Sequence, residues 1–290
     1  MSSETSPQVQ VVTKAPPWHG WVTADLFLLS LASGTFTIAA LFMLLRPIEL
    51  GTIARTAFCA AFPLMLADVV CLTFDLGDPA RFHHMLRVFK PGSPMSIGVW
   101  TISVFSSVAF LAFAAAIFGL PDPVLQTLAA IGLVPALIVG AYKGVLFSVT
   151  AQPGWRRMRW LGAAFALSSA AMGAALMLAI ASLAGDFIAV RVARFILMWL
   201  LVLNGIAVRL VMGRAGASGH LSEPADRAAI LRASLSYTLF IVVGLAAPLL
   251  LCVFSKGQPM VDTLIAAIVL TGALVSRHYL LMLPHRAAVN

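Results

Sequence analysis

The chain has 290 residues, of which 61% are hydrophobic and 10% charged, and its mean hydropathy is +0.98; soluble domains carry about 45–50% apolar and 25% charged residues. That balance excludes an ordinary soluble globular domain. The net charge of +8 reads mostly as a topology signal and an attraction to anionic headgroups; nucleic acid is not an expected partner.

In chain order, residues 1–23 read as a polar tail without the charged start, short apolar run and cleavage site of a secretory leader. Eight apolar runs follow: Asp25–Leu45, Thr52–Phe74, Ser96–Leu120, Val124–Val149, Met158–Ala184, Phe187–Met212, Leu235–Phe254 and Thr263–Leu283. Each has the length of about 20 residues that a 30 Å hydrocarbon slab asks of a helix. The predicted fold is all-α: a polytopic membrane protein of eight transmembrane helices, with residues 24–284 as the membrane domain and 285–290 as a C-terminal tail. Arg46-Pro47, Pro121-Asp122-Pro123, Gln152-Pro153-Gly154 and Gly257-Gln258-Pro259 punctuate the runs. Small residues at Leu31-Ala32-Ser33-Gly34 and over Ser168–Ala175, near the start of each half, permit close helix contact and suggest two four-helix bundles.

With these spans, 14 of the 19 lysines and arginines fall on the side shared by the termini and the even-numbered connections. The positive-inside rule then places both termini in the cytoplasm.

Several chemistries are not expected of this chain. Cys59, Cys71 and Cys252 stand singly within spans, whereas an iron–sulfur cluster takes four thiolates. His19, His83, His84, His220, His278 and His285 fall at span ends or in loops, where they do not suit a membrane haem. No metal site is predicted, and no glycine-rich phosphate loop or nucleophile elbow is present. Asp68 is the sharpest feature read from chemistry alone. A carboxylate at membrane depth costs about 2.5–3.5 kcal/mol on insertion scales, so it calls for a partner or a role, such as proton relay. Lys143, two-thirds along its span, is a candidate partner or a snorkelling lysine.

The segment from Phe74 to Trp100, FDLGDPARFHHMLRVFKPGSPMSIGVW, is rich in chemistry for a membrane loop. Asp78 before Pro79 predicts an N-cap and a short interfacial helix over Pro79–Val88. This segment resembles the polysulfide reductase or NrfD family of membrane subunits, with their D-L-G-x-P-x-R-F pattern followed by S-P/W-M-S-x-G-x-W. The resemblance continues through Tyr142-Lys143-Gly144-Val145-Leu146-Phe147-Ser148, Pro153-Gly154-Trp155 and Phe165–Ala175, and more loosely Gly244–Pro248 and Arg277.

The resemblance implies a subunit of the bacterial inner membrane that is not catalytic alone and carries no haem or cluster. It would anchor a ferredoxin-like iron–sulfur subunit and a molybdopterin-type catalytic oxidoreductase subunit, exchanging electrons with membrane quinone, menaquinone or ubiquinone, as bound substrate. Asp25, Tyr142 and Ser33 become the quinone-binding candidates, Asp68, Asp75 and Lys143 the proton-relay candidates, and Arg81, His84 and Arg87 the partner interface. For Asp25 the plain alternative is a helix N-cap, and for Tyr142 an interfacial aromatic anchor. Asp75 and Arg81 could pair across the turn. Asn204 stands where family members often carry a glutamate, and a neutral amide cannot titrate. In better-known members the quinone pocket lies on the outer face, whereas the charge count here turns it to the cytoplasm. A secondary transporter or proton-translocating bundle is the alternative; Gly/Pro breaks at mid-membrane would be its sign, and Pro63 and Pro135 are isolated ones.

Overall fold

A chain this apolar has to satisfy its backbone polar groups within each span, which in lipid leaves the helix as the natural solution. The computed structural model describes residues 20–75, 87, 89–149, 158–215, 240–255 and 257–288, and side chains at all of these except 75, 212–215, 240, 241 and 282–288. The helices are α1 (Gly20–Leu45), α2 (Pro47–Asp75), α3 (Pro94–Ile117), α4 (Asp122–Val149), α5 (Leu161–Ala184), α6 (Phe187–Ala215), a π-helix (Phe240–Ala246), α7 (Ala247–Phe254) and α8 (Pro259–Ala288).

Seven of these helices are long and apolar enough to cross a membrane, with a shorter apolar helix at Val242–Phe254. Together they stand at the positions of the eight expected spans, the seventh being described only from residue 240 onward. The predicted interfacial helix over Pro79–Val88 and the Asp75–Arg81 pairing lie outside the described residues. Pro63 and Pro135 sit inside continuous helices. The irregular winding falls in the seventh span instead, where the π-helix passes into α7 just before Pro248.

Two rings of helices build the molecule. α1, α2, α3 and α4 pack in a closed circuit, and α5, α6, the π-helix with α7, and α8 form a second. α1 is the shared shaft, packed on α2 and α4 in its own ring and on α5 and α8 in the other. This is the expected arrangement of four plus four. The first ring is centred on Phe36, whose ring lies 5.1 Å from Phe58 and 5.4 Å from Phe105. Gly132 leaves the space it fills.

The junction of the rings depends on the two small-residue stripes. A Cβ on Gly34 would collide with the carbonyl of Ser169, and one on Gly173 with the backbone of Gly34. Ser33 and Ser169 close on Gly140 of α4 at the same level, so three helices meet there with little side chain between them. Without a hydrophobic drive between helices in lipid, such backbone proximity is where dispersion and packing hold a bundle together.

Replacing Gly34 with valine is expected to lower stability by about 1–3 kcal/mol through overpacking. Gly20→Val, at a position with nothing near a new Cβ, should leave it unchanged. Thermal-shift measurements on the purified protein in detergent compare the two variants.

Candidate functional site

Lipid-exposed backbone cannot bend freely, so a buried site in a bundle has to be built from side chains converging across helices. At the end of the first ring where α1 begins and α4 ends, they do. Asp25 of α1 is 3% exposed and its Oδ2 accepts a 2.6 Å hydrogen bond from Lys143 Nζ of α4, itself buried. α1 starts at Gly20, which places Asp25 inside the helix and removes the N-cap reading. Asp68 of α2 is wholly buried and in electrostatic range of both Asp25 and Lys143. Among the described residues neither of its oxygens, nor Asp25 Oδ1, has a donor. One ammonium therefore faces two carboxyl groups.

Tyr142 packs beside this cluster, with Lys143 Nζ 5.5 Å from its ring centroid. Its ring lies directly on Gly98 of α3, where any Cβ would strike it. That contact ties the two resembling motifs together, since the glycine of the S-P-M-S-x-G-x-W segment is the space into which the tyrosine of the fourth span fits. The start of the same segment is a helix cap. Ser93 Oγ accepts from the Ser96 amide at 3.4 Å, Pro94 occupies the first turn, and Ser96 Oγ accepts from the Lys90 amide at 2.9 Å. All four helices of the ring thus contribute to the site.

Of the other expected residues, Ser33 stands apart. Its hydroxyl donates to the Ser30 carbonyl at 3.2 Å, and it lies about 12 Å along α1 from Asp25 by helix rise. The structure thus does not bring it to the Asp25 cluster. Asp75 ends α2, and its side chain lies outside the described residues, as do Arg81 and His84. Arg87 is exposed.

The setting of two further features was not read from the sequence. Arg277 of α8, in sequence one basic residue among those of the cytoplasmic side, is buried at 4% exposure. Its guanidinium lies 3.7 Å from the ring centroid of Phe165 and donates from Nη2 to Ser30 Oγ at 3.1 Å. A cation over an aromatic face in a dry setting gains about 2 kcal/mol, which partly offsets its burial. The second is an ion pair toward the opposite end of the second ring. Arg194 of α6 grips Asp262 of α8 with Nη2 at 2.7 and 2.9 Å from its two oxygens, while Ser182 donates to the same carboxylate at 3.2 Å. Arg194 Nη1 also reaches the Ser255 carbonyl after α7, so this pair clasps the ends of four elements. Basic and acidic residues far apart in sequence at span depth were the available signal; their pairing was not.

Lys143→Met strands the Asp25 carboxylate in the bundle and is expected to cost about 3–5 kcal/mol, whereas the double variant with Asp25→Asn should recover most of it. A double-mutant cycle on thermal stability reads this directly.

A family model for polysulphide reductase, NrfD, matches residues 8–285. A selenate reductase subunit of Mesobacillus selenatarsenatis is 24% identical over 98 residues, a stretch that covers 34% of this chain and 22% of that relative. The chain thus matches well under two-thirds of the length of that protein. The family match takes in the described helices of both rings and the Tyr142–Gly98 contact: this chain is an integral membrane protein of the NrfD polysulphide reductase family.

Proposed function

We propose that this chain is the quinone-reactive membrane subunit of an oxidoreductase complex, exchanging electrons between an iron–sulfur partner subunit, itself joined to a catalytic subunit, and quinone in the bilayer. The observation that carries this reading is the convergence of Asp25, Asp68, Tyr142 and Lys143 at one end of the first ring. A quinone that accepts two electrons also takes up two protons, so a site for it needs a hydrogen-bond donor to a carbonyl oxygen and a nearby proton reserve. The Tyr142 phenol supplies the donor. The two carboxyl groups supply the reserve, since Asp68 lies in electrostatic range of Asp25 and three of their four oxygens have no donor among the described residues. One proton on this pair also balances the single ammonium, which is the arrangement a low-dielectric interior favours.

In this mechanism Lys143 holds the Asp25 carboxylate in place, Tyr142 orients the substrate carbonyl, and the Asp25–Asp68 pair passes its proton to a reduced oxygen and is then refilled from the near membrane face. For quinol oxidation the same groups accept protons in reverse order. The neutral amide of Asn204, buried in the second ring, cannot extend the relay.

The charge distribution supports a cytoplasmic near face, in the bacterial inner membrane, with both termini inside. Setting aside the buried Lys143 and Arg277 on that side and the paired Arg194 on the other leaves the sign of the excess unchanged. The iron–sulfur partner would then dock from the cytoplasm, around the connection that carries Arg81, His84 and Arg87.

Asp25→Asn is expected to slow quinone-linked turnover of the purified complex by about 100-fold, the scale of a lost general acid, and Tyr142→Phe by about tenfold. Wild-type rates in both variants would rule out this site. For orientation, a fluorescent protein fused after Asn290 should glow and an alkaline phosphatase fused there should be inactive; the opposite pattern would turn the site outward.

A further inference from the structure

The second ring carries a feature that the redox reading does not use. Between α6 and the π-helix with α7 lies an open groove of about 510 Å³, lined by apolar side chains such as Leu201, Ile206, Leu245 and Leu249, and by one charged residue, Arg209. Its form follows from the local sequence. Gly205 offers no side chain opposite Leu245, whose Cδ1 would only touch a new Cβ at 3.8 Å. The π-helix, with its i→i+5 winding, lies against α6 and carries Leu245.

Arg209 sits at one end of this groove. It lies about 33 Å along α6 from Phe187 by helix rise, a distance comparable to the hydrocarbon thickness, so it reaches the headgroup level on the same side as Asp25 and Lys143. It is exposed, and no described carboxylate pairs with it. Val202 and Ile206 stand on the same face of the helix and are exposed. The result is an apolar channel running along the bilayer normal, ending in a guanidinium without a described carboxylate where phosphates lie.

We propose that this groove is a binding site for an anionic membrane phospholipid, with an acyl chain along α6 beside Gly205 and the headgroup phosphate on Arg209. A guanidinium suits a phosphate through paired hydrogen bonds. An anionic headgroup brings that phosphate without a competing ammonium, and the neutral head of a quinone would leave the charge unmatched. The lipid would fill the space left by the irregular seventh span and brace it against α6.

Native mass spectrometry of the purified full chain, titrated with phosphatidylglycerol or phosphatidylcholine of identical acyl chains, tests this. The wild type should retain phosphatidylglycerol about fivefold more strongly, the effect expected of one basic residue near the headgroups. Arg209→Gln, a change at an exposed position, should abolish that preference, and Gly205→Leu should weaken retention of both lipids with the charge intact. Equal retention of the two lipids by the wild type, an unchanged preference in Arg209→Gln, or a quinone retained in place of phospholipid would each overturn the proposal.

Discussion

The crossing of α1 with α5 is the constraint on which the rest of the bundle hangs. Gly34, Ser169 and Gly173 bring the two backbones into contact, and this lets a single helix serve as a wall of both rings. α1 is accordingly the most buried of the spans, with 78% of its apolar window inside the protein. Because a membrane offers no hydrophobic gain for pressing two apolar helices together, contact of this kind has to come from shape, and shape here comes from missing side chains. The register it sets carries Asp25 to Lys143 on one side of α1 and Ser30 to Arg277 on the other.

Among the described residues buried charge is arranged in three ways, each with its own physical solution. Arg194 Nη2 meets both oxygens of Asp262, and a serine hydroxyl donates to the same carboxylate. Arg277 has no carboxylate among the described residues and rests on an aromatic face and a hydroxyl. The Asp25, Asp68 and Lys143 cluster differs from both in that it leaves carboxyl oxygens without donors. Unsatisfied polar atoms in a dry interior cost free energy; among the described residues three of the six belong to Asp25 and Asp68, the others being Arg194 Nε, Asn204 Oδ1 and Arg277 Nε. The clasp at one end of the second ring thus has its carboxylate satisfied, while the cluster at one end of the first does not.

Much of this was legible before any coordinates. Span positions followed from hydropathy because the bilayer imposes a length on every helix, and the two small-residue stripes marked where helices could approach closely. Asp68 was conspicuous through the cost of its position alone. Other features resisted. Asp25 read equally as a helix cap until α1 was found to begin at Gly20, since helix ends are set by packing and interface as much as by local residues. Ser33 was placed with the quinone candidates, but its hydroxyl is turned onto its own helix. Arg277 entered only as a loose part of the resemblance and Asp262 not at all, because an arginine or aspartate near a span end is ordinary in sequence, and only depth and partners distinguish it.

By itself, then, the sequence determined that the chain is a helical membrane protein and where its spans lie, because these depend on composition and length, which are local properties. Only the tertiary structure decided that Lys143 pairs with Asp25 while Asp68 waits beside them, that Gly98 makes room for Tyr142, and that the seventh span winds irregularly to leave a groove beside Arg209. Such pairings join residues on separate helices, and a helix that is apolar all round carries no periodic signal of which face meets which neighbour.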